Sequence, residues 1–215
     1  MEALLEFLSG PVFRLAIVVA VLGTAAQYVQ NAMVIARSST DWKKGFRDTI
    51  SAMITWVNPA DRIRRRGFLG ELLTWIVLAG VLVVPLFYLG HARLIGRNLF
   101  LEWPVVPAQI SDLLTKLTMI ALVLLLIVRL ADHSFRRDMR RLDWMPMILA
   151  LTAFVSGYLV AHPGRSPMSP DNTALIHYVS ADALLLIAPF TRLARCVLLP
   201  GAYQGAVQHR QEVAS

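Results

Sequence analysis

Hydrophobic residues fall along this chain in five long blocks, separated by stretches that hold most of the charge. The blocks cover about residues 11–35, 68–90, 113–130, 144–161 and 174–199. An α-helix needs roughly 20 residues to cross a hydrocarbon core of about 30 Å, and each block meets or approaches that length. The pattern predicts an all-α fold: an integral membrane bundle of five transmembrane helices, forming one domain over residues 1–215. The first block could be taken for a signal peptide. It has no basic leader and no small-residue cleavage site after it, so it reads as a retained helix.

Composition agrees with this picture. Hydrophobic residues make up 56% of the chain and charged residues only 16%, against about 25% charged in ordinary soluble domains. The net charge of +7 would by itself admit a nucleic-acid partner. The basic residues are gathered between apolar blocks instead, as membrane topology requires, so no nucleic acid is expected.

Their distribution also gives an orientation. The first connection holds Arg37, Lys43, Lys44, Arg47, Arg62, Arg64, Arg65 and Arg66. The third holds Arg136, Arg137, Arg140 and Arg141, and the C-terminal end adds Arg192, Arg195 and Arg210. The second connection has only Arg93 and Arg97, and the fourth only Arg165. Excess Lys and Arg mark the cytoplasmic side. The expectation is a multi-pass protein of the inner (cytoplasmic) membrane, with its N-terminus outside and its C-terminus in the cytoplasm.

Two connections carry further pattern. Residues Asp48 to Trp56 place apolar side chains at helical spacing, which fits an amphipathic helix along the inner interface as well as a solvated basic loop. Trp103-Pro104-Val105-Val106-Pro107 reads as a short interfacial excursion on the outer side. The single cysteine, Cys196, lies inside an apolar block, so neither a disulfide framework nor a cysteine-ligated metal cluster is expected.

The five histidines are the candidate chemistry. His209 falls in the cytoplasmic tail, and His133 at the inner end of the third helix. His91 ends the second helix, His162 ends the fourth and His177 begins the fifth, all toward the outer side. An ionisable group at membrane depth is costly to leave without a partner, and is read as functional by default. Two of these three could clamp one planar cofactor between helices. Neutral imidazole is a good iron ligand, and two axial histidines suit an electron-transfer haem. Haem propionates need cations at the water boundary, and Arg93, Arg97 and Arg165 lie on the same side. Each helix-end histidine is also, taken alone, an ordinary interfacial residue.

One stretch carries a resemblance. His177 is followed by Leu184-Leu185-Leu186-Ile187-Ala188 and then Pro189-Phe190-Thr191-Arg192-Leu193, and Leu142-Asp143 leads into Ser156-Gly157-Tyr158-Leu159. Together with the order of five helices, this resembles the gamma subunit family of respiratory nitrate reductase. That family includes membrane cytochromes of heterodisulfide-reductase-like and sulfite-reductase-associated complexes. The resemblance implies a b-type cytochrome with His91 and His177 as the ligands of an outer haem b and His162 in reserve. The family's inner ligand positions would fall at Val81 and Arg195, so the second, inner haem is expected to be absent. The family's quinol-site lysine would fall near Ser111, leaving Gln109, Ser111, Asp112 and Lys116 as polar contacts for a quinone.

The function so implied is a redox subunit rather than a self-sufficient enzyme. It would exchange electrons between the quinone pool and a cytoplasmic iron–sulfur or flavin subunit docked on the basic inner loops. The rival expectation is a haem-free membrane anchor of the same kind of complex. A transporter is a weaker fit, since no internal repeat is present.

Overall fold

A computed structural model describes residues 1–38, 59–100, 102–131 and 141–191. Among the described residues every regular element is helical. Five of the helical runs are long and apolar enough to cross a membrane: Glu2–Gln27, Phe68–Phe87, Ala108–Val128, Trp144–Ala161 and Pro170–Phe190. Large apolar side chains such as Leu15, Leu22, Ile120, Ile127 and Ile148 remain exposed along them. On a soluble protein such surface would be a liability, whereas against lipid tails it is the expected exterior.

The first run starts at Glu2, earlier than the apolar block suggests, and has three parts. Helix α1 (Glu2–Phe7) passes through a π-turn (Leu8–Val12) into α2 (Phe13–Ser38). Pro11 sits inside the π-turn. Proline lacks the amide hydrogen and crowds the carbonyl four residues back, and the wider turn accommodates it. The Phe13 amide reaches Leu8 O and Gly10 O, passing over Ser9 O. That carbonyl is thereby available to side chains from elsewhere.

Helix α3 (Pro59–Phe87) carries Pro85 in its last turn and ends two residues later. Tyr88 is extended, and a separate helix α4 (Leu89–Leu99) follows. Sequence reading places His91 at the end of the second transmembrane helix. The structure places it in the first turn of α4, beyond a break that Pro85 prepares. Phe100, with a left-handed φ of 56°, reverses the chain. The return segment closes on the end of α3: the Trp103 indole donates to Leu86 O at 2.6 Å, and the Val106 amide donates to Phe87 O at 2.9 Å. These bonds satisfy two of the carbonyls that a helix C-terminus leaves over. Residues 88–106 thus leave and rejoin the bundle at one point.

The remaining helices are α5 (Ala108–Ala131), α6 (Arg141–Ala161) and α7 (Pro170–Ile187). Helix α7 begins four residues before the apolar block does. Ser169 caps it, its hydroxyl accepting from the Asn172 amide, and Pro170 takes the first helical position. Both residue types are standard helix-start signals. In the packing, α2 lies against α7, α7 against α6, α6 against α5, and α5 against α3. Gly23 lets α2 approach the short turn Ala188–Phe190 that follows α7: a Cβ there would lie 2.8 Å from the Pro189 side chain. The core where α3, α5 and α6 meet is built from Val84, Leu122, Ala150 and Phe154, with Val77, Val81 and Leu184 packed around it.

Helix α4 is tied to the π-turn. Arg97 donates to Ser9 O and Ser9 Oγ at 3.2 and 3.1 Å, and the Asn98 amide group donates to Ser9 O at 3.1 Å. Arg14 Nε donates to Asn98 Oδ1 at 2.8 Å. Asn98 and Ser9 are buried, so each unmade bond would cost about 1–3 kcal/mol. Asn98→Ala is therefore expected to loosen residues 88–106 while leaving α5 and α6 intact. Hydrogen–deuterium exchange on the detergent-purified protein should show faster exchange in α4 and the return segment, with α5 and α6 unchanged. Unchanged protection there would mean that the network does not hold the helix.

Candidate functional site

The break before α4 turns His91 back under its own helix start, toward the bundle. Its Nδ1 lies 3.1 Å from Val84 O, a carbonyl of the last full turn of α3. His177, two turns into α7, faces α6, and its Nδ1 lies 3.0 Å from Ala153 O. Ser156 Oγ is 3.5 Å from the same nitrogen. Gly157 makes this approach possible, since a Cβ there would sit 2.9 Å from His177 Cε1.

The two remaining nitrogens meet. His91 Nε2 and His177 Nε2 are 3.5 Å apart, with ring centroids 5.8 Å apart and ring planes within 22°. The centroid separation exceeds the nitrogen separation by about one ring diameter. The imidazoles therefore lie end to end with their Nε2 atoms pointed at each other. Each Nδ1 faces a backbone carbonyl, which only accepts, so each Nδ1 carries the proton. Each Nε2 is then a bare lone pair. Burial pushes the His91 imidazole below its ordinary pKa and so favours the neutral ring, opposed in part by the Val84 hydrogen bond. Two lone pairs aimed at each other in an apolar setting repel. A Lewis acid between them would relieve that repulsion, and a ring whose other nitrogen is fixed by a hydrogen bond is oriented to meet one.

His162, the third histidine of this end, belongs to a different cluster. Its Nε2 is 3.1 Å from Asp112 Oδ2 across the α5–α6 interface, and its Nδ1 is 3.0 Å from Tyr158 O. The Tyr158 ring stacks on it at 4.3 Å. Lys116 Nζ lies 5.6 Å from the centre of the Tyr158 ring, and Arg165 donates to the Tyr158 hydroxyl. With both nitrogens engaged, His162 is not presented to the His91–His177 gap.

Among the residues considered for a quinone, Asp112 and Lys116 join this second cluster. Ser111 is buried, and its carbonyl accepts from the Thr115 hydroxyl at 2.7 Å. Gln109 is exposed in the first turn of α5. Of the arginines considered for haem propionates, Arg97 is engaged at Ser9 and Arg165 at Tyr158, while Arg93 is exposed.

No protein-family model matches the chain, and no solved structure matches it. It is similar to a protein of Nitratidesulfovibrio vulgaris (strain Hildenborough), 32% identical over 120 residues. That stretch is 55% of this chain and 51% of the relative, so the chain spans about half the relative's length.

Two acids escaped sequence reading. Glu71 and Asp182 are 2% and 5% exposed, both within spans. Asp182 Oδ2 is buried with no hydrogen-bond partner among the described residues. The signal was available: a carboxyl inside an apolar block is rare enough to flag. His133, His209, Arg195, Cys196, the Asp48–Trp56 segment and Arg136, Arg137 and Arg140 lie outside the described residues.

Proposed function

We propose that this chain is the membrane cytochrome b-type subunit of a quinone-linked respiratory oxidoreductase complex, in which His91 and His177 would hold one haem b. The observation that carries the reading is the head-to-head pair of Nε2 atoms, each imidazole locked by a carbonyl on its far side. Two metal–imidazole bonds of about 2 Å each would place the nitrogens about 4 Å apart, close to the separation found. The residues therefore fit an iron that both imidazoles would hold. Bound there, a haem supplies one-electron chemistry and no more.

The chain's own residues do the rest. The Val84 and Ala153 carbonyls hold the imidazoles in the ligating tautomer, and Gly157 gives the His177 ring its place. The apolar core of Val84, Leu122 and Phe154 keeps water from the inward side. Asp112 and His162 form an acid–base pair at the same end of the bundle, suited to taking a proton from a hydroquinone as its electrons depart. Lys116 and Tyr158 line the same cluster. The complex would supply an iron–sulfur or flavin subunit, for which the basic connections are a docking surface.

The test is haem content. A pyridine haemochrome assay on the complex purified with its partner subunits is expected to give one haem b per chain of this protein. Protein carrying no haem in that state would favour the membrane-anchor reading, and two per chain would require ligands beyond His91 and His177.

A further inference from the structure

Asp182 lies well inside the membrane-crossing run Pro170–Phe190. It is buried, and its Oδ2 has no hydrogen-bond partner among the described residues. Neither the histidine pair nor the Asp112 cluster uses it.

Helical spacing sets the direction in which it faces. Pro189 follows Asp182 by seven residues, so the two share one face. Pro189 packs against Gly23 of α2. Helices α2 and α7, the first and fifth crossings, run in the same direction. Two turns back along both, Asp182 comes level with Ala16, which is fully buried. Leu15-Ala16-Ile17-Val18-Val19-Ala20 is apolar throughout. On α6, the Ala153 carbonyl meets His177, and one turn further in is buried Ala150.

The charged and titratable groups of the elements packed on α7 are engaged or placed elsewhere. Glu2 and Glu6 of α1 are exposed, and so is Arg14 of α2, whose Nε is taken by Asn98. Tyr28 and Arg37 of α2 fall three turns or more beyond Ala16, and Arg141 and Asp143 of α6 about two turns or more beyond Ala150. Tyr158 and His162 are held with Arg165 and Asp112, and His177 meets His91. The π-turn and the turn Ala188–Phe190 carry no titratable side chain. Two groups remain on the Asp182 face of α7. Tyr178, one turn before it, is half-buried, and Asp171, seven residues before Tyr178, is exposed in the first turn. Burial thus deepens along one face from Asp171 through Tyr178 to Asp182.

An ionised carboxylate in such a setting is a charge taken from water without repayment, whereas the neutral acid carries its own counter-ion as a proton. Carboxyls retained at membrane depth mark proton and ion paths. We propose that Asp182 is a proton-binding site inside the bundle, exchanging its proton with water at the end where α7 begins by way of the Tyr178 hydroxyl. The acid O–H bond breaks as its proton passes to the phenol oxygen, and the phenol's own proton leaves toward water at the helix start. No electron moves, and the site stands whether or not His91 and His177 hold a haem.

The experiment uses native membranes containing the full-length chain. An infrared spectrum of the parent minus that of Asp182→Asn is expected to show the C=O band of a protonated carboxyl at neutral pH. In the parent alone, dicyclohexylcarbodiimide, which attacks protonated carboxyls in apolar surroundings, should leave an adduct on Asp182 that mass spectrometry locates. That adduct should diminish as pH is raised and be indifferent to Na⁺. On transfer to heavy water the band should shift at a rate that Tyr178→Phe slows by about tenfold or more. Absence of both band and adduct at neutral pH would overturn the proton site. Protection of Asp182 by Na⁺ at fixed pH would make it a metal-cation site and overturn the proposal equally. Equal exchange rates in the parent and Tyr178→Phe would overturn the route.

Discussion

Replacing His177 by alanine is expected to abolish the sharp reduced α band of a six-coordinate b haem, with loss of all haem from the purified protein. His177 supplies one of the two opposed lone pairs. His91→Ala should have the same effect. His162→Ala should leave the band intact, because both nitrogens of that ring are engaged by Asp112 and Tyr158. Gly157→Val makes the same point without touching a ligand. A branched side chain at that site would occupy the space of the His177 ring, whose Cε1 is already 2.9 Å from a Cβ position. Optical spectra of the four variants, with His133→Ala as a control, check this. A haem that survives His177→Ala and disappears in His162→Ala would move the site to the Asp112 cluster.

Gly80→Ala should give the largest loss of stability among conservative single changes in the membrane region. A Cβ on Gly80 would lie 2.7 Å from Thr118 Cβ. Thr118 is fully buried, and its hydroxyl is spent on the Leu114 carbonyl at 2.7 Å, so it cannot swing aside cheaply. A methyl group at residue 80 must instead push α3 away from α5. Overpacking of this kind costs about 1–3 kcal/mol and occasionally more. The expected result is a lower melting midpoint by circular dichroism in detergent, with partial recovery in Gly80→Ala/Thr118→Ala. That double variant removes the branch atoms but leaves a Cβ contact. A midpoint equal to the parent's would show that the helices are further apart at this level than the structure has them.

The membrane-crossing helices were legible because length and hydropathy alone decide them, and the five blocks and five spans overlap one for one. What the blocks hide is where a helix stops inside apolar sequence. Leu86-Phe87-Tyr88-Leu89 is as hydrophobic as what precedes it, so the break at Tyr88 is invisible to hydropathy. Pro85 was the available signal, together with Arg93 and Arg97 at four-residue spacing in the segment beyond. The opposite error occurs at Ser169-Pro170, where capping residues mark a helix start that the apolar criterion postpones to Ala174.

The site divides along similar lines. Depth along the chain was enough to group His91, His162 and His177 at one end. It could not say which two would face each other, because that depends on α4 folding back and on Gly157 giving room to one imidazole. The His162–Asp112 contact joins residues fifty positions apart on different helices and leaves no periodic trace in the sequence. Ser9 had no signal of its own. Its importance comes from a carbonyl released by the π-turn, a backbone property that no residue type announces.

The excursion over residues 88–106 begins and ends on the final turn of α3, held by the Trp103 and Val106 bonds. Such a segment adds no net displacement to the path of the chain. Residues inserted or deleted at its tip near Phe100 leave the spacing of α3 and α5 unaltered, and His91 keeps its place because it lies at the fixed root and not at the tip. A change of length at the tip is thus felt first by the Arg97 and Asn98 bonds to Ser9, while the geometry of the histidine pair is set at the root.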